Sequence, residues 1–338
     1  MNKIFSIPRS ILLIFCFSLI VMGCGGGGGG SSEGGGGSGS NGSIEYTGIT
    51  TPAVITNANA IEITEGAFSG GTTAAEFGLA STSESNSPAS TSYSGGQSLY
   101  SLSKAFSESA SKISINTKVP NPSERFALAI STESGTIDGD CGGSATYTFQ
   151  VNDQTGEFTG TFVFSNYCDA GTTINGSTTV SGTMDLVEET ITTITYTFDQ
   201  IESADVILKG TINIDDSDYP PNSSTTFNML IENVSNSKVY KFENYLLSST
   251  EDNTSIAFKM TGTYYDPDYG YVTVSTPVDF IVGIDDEWPS SGEMLCVGAN
   301  GGQTKLTTLD NATYNISVDS NGDSAFETVL GPYNWSDL

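Results

Sequence analysis

The chain has 338 residues, with 11 lysines and arginines against 39 aspartates and glutamates and no histidine, for a formal net charge of −28 at pH 7. Without histidine there can be no Ser-His-Asp triad, no Cys-His pair and no histidine-ligated metal centre, and the charge disfavours nucleic acid and bare anionic lipid as partners. No glycine loop stands between a parallel-strand pattern and a helix pattern, so a nucleotide-binding fold is not expected.

The first 23 residues read as an export signal: Lys3 and Arg9 make a positive start, and Ile11 to Val21 form an apolar stretch too short to span a bilayer comfortably. The stretch closes on Val21-Met22-Gly23-Cys24, which resembles the lipobox of bacterial lipoproteins. That resemblance covers the first 24 residues. It implies cleavage before Cys24, a diacylglycerol thioether on the Cys24 sulfur and acylation of the new amino terminus, with Gly25 fitting the rule for delivery to the outer membrane of the cell envelope. Two or three acyl chains, at about 0.8 kcal/mol per buried CH₂, anchor a protein durably, so the membrane is a partner through this lipid. The chain that remains carries nine basic against 39 acidic residues, a net −30. From Cys24 to residue 43 the sequence is almost entirely glycine and serine, a flexible tether spanning roughly 25 Å.

Residues 44–138 show the least regular pattern. Val54 to Ala67 reads as a short strand leading into a short helix, and Ser81 to Gln97 as a polar loop. Leu99, Leu102, Ala105, Phe106, Ala110 and Ile113 recur at helical spacing and predict an amphipathic helix over 98–113, its apolar stripe packed on the sheet. Phe126 to Ile130 is a further apolar run.

Residues 139–338 are expected to form an antiparallel β domain. Cys141 to Cys168 reads as a long hairpin turning at Asp153-Gln154-Thr155-Gly156. One register pairs Val151 with Phe158, Phe149 with Gly160, Tyr147 with Phe162 and Ala145 with Phe164 on one face, leaving mostly threonines on the other. It also sets Cys141 opposite Cys168, predicting a disulfide. Thr172 to Leu186 and the following strands repeat the alternation, with expected pairs Met184 with Ile194, Val180 with Phe198, Tyr196 with Val206 and Ile194 with Leu208. The strands near 225–234 and 238–247 are apolar at both parities and are expected to be covered on both sides. Another hairpin, over Asp266-Pro267-Asp268-Tyr269-Gly270, sets Phe258 opposite Val278, and shorter strands follow near Met294, Lys305, Tyr314 and Phe326. Glycine recurs before threonine at Gly160, Gly182, Gly210 and Gly262, with Gly160 expected under Phe149 and Gly182 under Tyr196. An inward glycine beneath an aromatic ring bends a sheet. The expected fold class is therefore all-β: an up-and-down meander of about a dozen strands curled into a barrel or half-barrel, with a small helical segment before it. A transmembrane barrel does not fit, because the second face of the strands is threonine, serine, asparagine and acid.

Asp319, Asn321 and Asp323 alternate oxygen side chains as in the first half of a calcium loop, although Ser324 and Leu330 stand where such a loop needs glycine and glutamate, so a plain polar turn is the default reading. Asp215-Asp216-Ser217-Asp218 and Asp285-Asp286-Glu287 are acidic loops whose default role is solvation. Cys296 reads as a small buried hydrophobe. No catalytic residue and no cofactor apart from calcium is singled out. Three functions are compatible with this pattern. The first is a lipid-anchored, non-enzymatic envelope protein that binds a protein or glycan. The second is a carrier of an apolar ligand, since a curled sheet under a helical lid resembles, in outline only, the open barrels of periplasmic lipoprotein carriers. The third is a carboxylate-dependent hydrolase.

Overall fold

Alternation of apolar and hydroxyl-bearing residues persists through nearly all of the chain after residue 130, and in the computed structural model these residues form one antiparallel sheet. The structure describes residues 42–80, 130–169, 171–187, 190–284 and 286–338. Cys24, most of the tether and the helix expected over 98–113 lie outside them. The strands are β1 (Ile130–Asp138), β2 (Gly142–Asn152), β3 (Glu157–Asp169), β4 (Thr172–Asp185), β5 (Thr190–Glu202), β6 (Val206–Asp215), β7 (Asn222–Asn233), β8 (Lys238–Glu251), β9 (Ser255–Asp266), β10 (Gly270–Gly283), β11 (Ser291–Val297), β12 (Gln303–Thr308), β13 (Thr313–Asp319) and β14 (Thr328–Asn334). They pair strictly in sequence order from β1 to β14, an up-and-down meander whose two end strands do not pair with each other. The half-barrel alternative is the one observed, with the sheet open. It begins at Ile130, ahead of the boundary expected at residue 139, because β1 pairs with β2 along its whole length.

One helix precedes the sheet, α1 (Ala60–Ala80), which is longer than the sequence suggests. Asn59 fixes its start: the Asn59 side chain accepts from the Thr56 N–H at 2.9 Å and donates to the Val54 carbonyl at 3.0 Å. From Gly66 to Gly70 every residue is buried. The helix enters the hollow of the curled sheet, contacting β7 to β9 and β11 to β13. Small residues make this possible, since a Cβ on Gly66 would overlap the Tyr264 hydroxyl and one on Gly70 the Phe242 ring. Around α1, Phe68 packs on Phe280 and Trp335 at ring distances of 5.3 and 5.2 Å. Trp335 in turn lies 4.5 Å from the Tyr314 ring and stacks on Trp288 at 5.6 Å. Polar ties hold the helix in register: the Tyr245 hydroxyl donates to the Ala67 carbonyl at 2.6 Å, the Tyr314 hydroxyl to Glu65 at 2.6 Å, and Thr64 and Thr304 share a bond of 2.6 Å.

The β2–β3 register is the expected one over Ala145–Phe164 to Val151–Phe158. Near the cysteines it slips by one, so Gly142 rather than Cys141 stands opposite Cys168. The extra residue is on β3: three steps from Ser165 to Cys168 face two from Gly142 to Ser144, with Asn166 at φ 48° in the bulge and Gly143 at φ 66° opposite it. The disulfide between Cys141 and Cys168 is formed all the same, with Cα atoms 5.1 Å apart.

Three other registers differ from expectation. In β4–β5, Val180 pairs with Tyr196 and Gly182 with Ile194, a shift of two residues. The Asp185 carboxylate accepts the Val187 N–H at 2.7 Å and closes the turn early. In β5–β6, Ile194 pairs with Ile214 and Tyr196 with Ile212. Here β5 runs on to Glu202, and Ser203 closes the turn by exchanging hydrogen bonds with Val206. In β9–β10 the expected register holds at Val272–Tyr264 but moves on to Phe258–Phe280 beyond a bulge. There Thr276 replaces a ladder bond: its hydroxyl accepts from the Met260 N–H at 2.8 Å and donates to the Met260 carbonyl at 3.0 Å. The two shifts that carry through whole hairpins, in β4–β5 and β5–β6, are even in number, so the same side chains face inward as expected.

The expected coverage of β7 and β8 on both faces is not observed. Phe227, Met229, Ile231, Phe242 and Tyr245 are buried on one face, while Leu230 and Leu246 on the other are only half-buried. The last strand starts at Thr328, so Phe326 lies just outside it. Gly160 sits beneath the Phe149 ring as expected, whereas Gly182 is covered by Phe158, its neighbour on β3, and not by Tyr196.

Candidate functional site

Outward-facing positions fall into cross-strand rows because the pairing is in sequence order and each strand alternates its faces. One row runs Ser134, Thr148, Thr161, Thr179, Thr197, Thr211 and Asn228 across seven strands. The next runs Gln150, Thr159, Ser181, Thr195, Asn213 and Thr226. A third contains Thr183, Thr193, Asp215, Ser224, Ser248 and Lys259. Neighbours in a row stand about 4.8 Å apart, so the outer face is a lattice of hydroxyls, each able to donate and accept.

The third row opens into a hollow of about 310 Å³ over β6 to β10. Its floor is small: Ser224, Ser248, Thr250 and Ala257. One rim is Asp215, Ser217 and Asp218, and the other Lys259 and Asp279. The hollow exists because short floor side chains lie between longer rim side chains. Asp215 is fixed by Ser217, whose hydroxyl and N–H donate to it at 2.6 and 3.0 Å and hold its carboxyl below the ordinary range. Behind the rim, burial raises the Asp216 carboxyl, opposed by a 2.5 Å bond from the Ser223 hydroxyl. On the floor, the Thr250 hydroxyl donates to Asn222 at 3.0 Å. Of the two acidic loops read from the sequence, this one borders a cavity.

The acidic turn between β13 and β14 is built differently. Asp319 is fully buried, and its carboxylate accepts the backbone N–H groups of Asn321, Gly322 and Ser324 at 3.2, 2.7 and 2.8 Å. Asp323 accepts from the Ala325 N–H at 2.8 Å. Asp319, Asp323 and Glu327 bring one carboxylate oxygen each within 4.8 Å of the others. Asn321 stands beside these carboxylates, its amide donating to Glu327 and its oxygen accepting from the Asp323 N–H. Glu327 was not legible as a partner because it lies eight positions after Asp319, a spacing with no periodic meaning in a loop.

A second cluster, at the β9–β10 turn, was read from sequence only as a hairpin. Asp266 is fully buried. One carboxylate oxygen accepts from the Asp268 and Tyr269 N–H groups at 2.8 and 3.2 Å, and the other has no hydrogen-bond partner among the described residues. Burial, followed by the charges of Glu62 and Asp268, raises its carboxyl, with its two backbone hydrogen bonds opposing. Lys238 bridges the surroundings, 2.5 Å from Asp268 and 3.7 Å from Glu62, and the Asp268 pair raises its ammonium above the ordinary range. Cys296 is wholly buried, and that burial pushes its thiol up to about 12, which suits a packing role. Asp286 accepts from the Asn311 side chain at 3.0 Å. Glu287 is raised by burial. Compared with family models, with curated proteins and with solved structures, the chain matches none.

Proposed function

We propose that this chain is a lipid-anchored protein of the bacterial cell envelope, held at the outer membrane through Cys24, which binds a glycan or protein through the outer face of its open sheet and performs no catalysis. The observation that carries this reading is the outer face itself, where five threonines from Thr148 to Thr211 stand in register on five consecutive strands. Hydroxyls in that arrangement stay solvated when free and exchange water for a polar partner at little loss. The lipobox-like Val21 to Cys24 and the glycine-serine tether support a surface held near a membrane but free to turn toward a partner.

The carrier alternative is weakened by α1, whose Phe68, Ala67 and Ile63 occupy the hollow against β7 to β13, where an apolar ligand would lie. Calcium has no part in the proposal, because the buried Asp319 carboxylate already takes three backbone N–H groups. Native mass spectrometry of the mature chain released from detergent micelles tests the reading. The expected result is a polypeptide mass plus the acyl groups on Cys24 and nothing more. An extractable stoichiometric lipid beyond those groups would replace the proposal with the carrier, and an unmodified amino terminus would remove the anchor.

A further inference from the structure

We infer that the hollow over β6 to β10 is a subsite for an uncharged saccharide, an assignment that rests on the reading of the outer face as the binding surface and specifies its ligand. The lining decides the class. Ala257 is the one apolar residue in it, so an apolar ligand gains nearly nothing by burial there. Three carboxylates, Asp215, Asp218 and Asp279, outnumber the single ammonium of Lys259, so a phosphate, a sulfate or a uronic acid is repelled. Those carboxylates do not converge as metal ligands do: among the described residues the trio that gathers within 4.8 Å is Asp319, Asp323 and Glu327, on another turn. What remains suited to the hollow is a ligand bearing several neutral groups that both donate and accept.

A saccharide has that character. Its hydroxyls donate to the rim aspartates as charge-assisted bonds, accept from Lys259, do either with Ser224 and Ser248, and donate to Thr250, whose own proton goes to Asn222. The rim is also prepared for this: Asp215 is ionised and held by Ser217, and Thr250 is oriented by Asn222, so little ordering is left to the moment of binding. The floor follows the cross-strand pairs Asp215–Ser224, Ser224–Ser248 and Ser248–Lys259, so the hollow is a segment of the hydroxyl lattice and a longer glycan can continue along it. No aromatic ring lines it, so each subsite is weak and avidity comes from many copies at a surface.

The test displays the full mature chain in many copies on fluorescent beads and incubates them with immobilised oligosaccharides of three kinds: neutral hexose oligomers, N-acetylhexosamine oligomers, and uronic-acid or sulfated oligomers. Two variants accompany it, Ser248→Trp, which fills the hollow from its floor, and Thr179→Trp on β4, which leaves the hollow alone. Both sites face outward, and thermal melts compared with the parent verify folding. The expected result is retention on one or both neutral classes, reduced at least tenfold by Ser248→Trp and to a smaller extent by Thr179→Trp, which lies on the hydroxyl lattice outside the hollow. Retention lowered by Thr179→Trp but not by Ser248→Trp would overturn the subsite and leave the outer-face reading standing. Retention on the acidic oligomers alone would overturn the assignment of an uncharged ligand. Retention on no oligomer would overturn the subsite together with the glycan part of the broader reading.

Discussion

The two halves of the sheet solve the same packing problem by different means. In β1 to β6, aromatic rings are accommodated by glycines within the strands, Gly160 under Phe149 and Gly182 under Phe158, and the end of the β2–β3 hairpin is clipped by the Cys141–Cys168 disulfide. In β7 to β13 the rings are as large, and strand glycines such as Gly292 under Phe280 are joined by space made in the helix, with Gly66 under Tyr264 and Gly70 under Phe242. Tryptophans close that half, Trp335 lying between Trp288, Tyr314 and Phe68. A glycine in a strand lets the sheet bend around its own side chains, whereas a glycine in a helix lets the sheet bend around a second element. Both halves bury aromatic rings, and the first adds a covalent clip where the second adds a helix.

The largest effect should come from the aromatic end. Trp335 is fully buried among three aromatic rings, and Trp335→Ala is expected to lower stability by about 3–5 kcal/mol in urea unfolding. Replacing Cys141 and Cys168 together by serine opens a loop with a sequence separation of 27 residues, an expected loss of about 3–4 kcal/mol. Hydrogen exchange then sharpens the comparison. The serine pair should lose protection in β1 to β6 first, and equal loss in β7 to β13 would show that the halves unfold as one unit. Gly70→Ala comes next. Alanine favours a helix by about 1 kcal/mol over glycine, but its Cβ meets the Phe242 ring, which is buried among Phe227, Tyr245 and Tyr264 and has nowhere to move. The balance is a net loss of about 1–2 kcal/mol in the same assay. A gain in stability would mean that the ring has room and that the helix is not fitted to the sheet.

The same contrast explains what the sequence could convey. In the first half the partners are close in sequence and their side chains alternate cleanly, so Ala145–Phe164 to Val151–Phe158 could be paired by inspection. The observed registers depart from the expected ones where a local geometry interrupts the backbone ladder: the bulge at Asn166 beside the disulfide, Asp185 and Ser203 in turns, Thr276 in the β10 bulge. Each is a common polar or small residue whose role depends on a local geometry that periodicity does not encode. Helix α1 was legible only as far as Ala67, because its continuation, Phe68-Ser69-Gly70-Gly71-Thr72-Thr73, has the composition of a loop. Its helical state follows from the hollow it fills, a tertiary requirement that overrides propensity. The hollow over β6 to β10 was likewise invisible, since Asp215, Ser248 and Asp279 come from three separate strands. Only the Asp215 to Asp218 loop at its edge drew notice.

Asp266 offers the smallest effect, and one of opposite sign. Burial raises its folded carboxyl above the ordinary aspartate value of 3.8, and the charges of Glu62 and Asp268 act in the same direction. Lys238, which faces the same pocket, is engaged with Asp268 and Glu62, and Tyr240 and Tyr46 border it as groups that are uncharged at neutral pH, both raised by burial, Tyr46 to about 12. The folded chain therefore holds the Asp266 proton more tightly than the unfolded chain does. Its contribution to stability is fully present below the unfolded value and is lost as pH rises from there through the raised folded value. Asp266→Asn keeps an oxygen for the Asp268 and Tyr269 N–H groups and carries no charge at any pH. It is expected to match the parent at pH 3 and to exceed it at pH 7 by on the order of 1 kcal/mol, measured as urea midpoints across that range. Glu65, Asp216 and Glu287 are raised by burial as well and remain in both proteins, so the informative quantity is the difference between the two pH profiles. If that difference were flat, Asp266 would be ionised in the fold without penalty, and its second oxygen would have to be satisfied by a donor such as Lys238 once the pocket relaxes. The second half of the sheet would then tolerate a buried charge next to the helix start as readily as it tolerates aromatic rings.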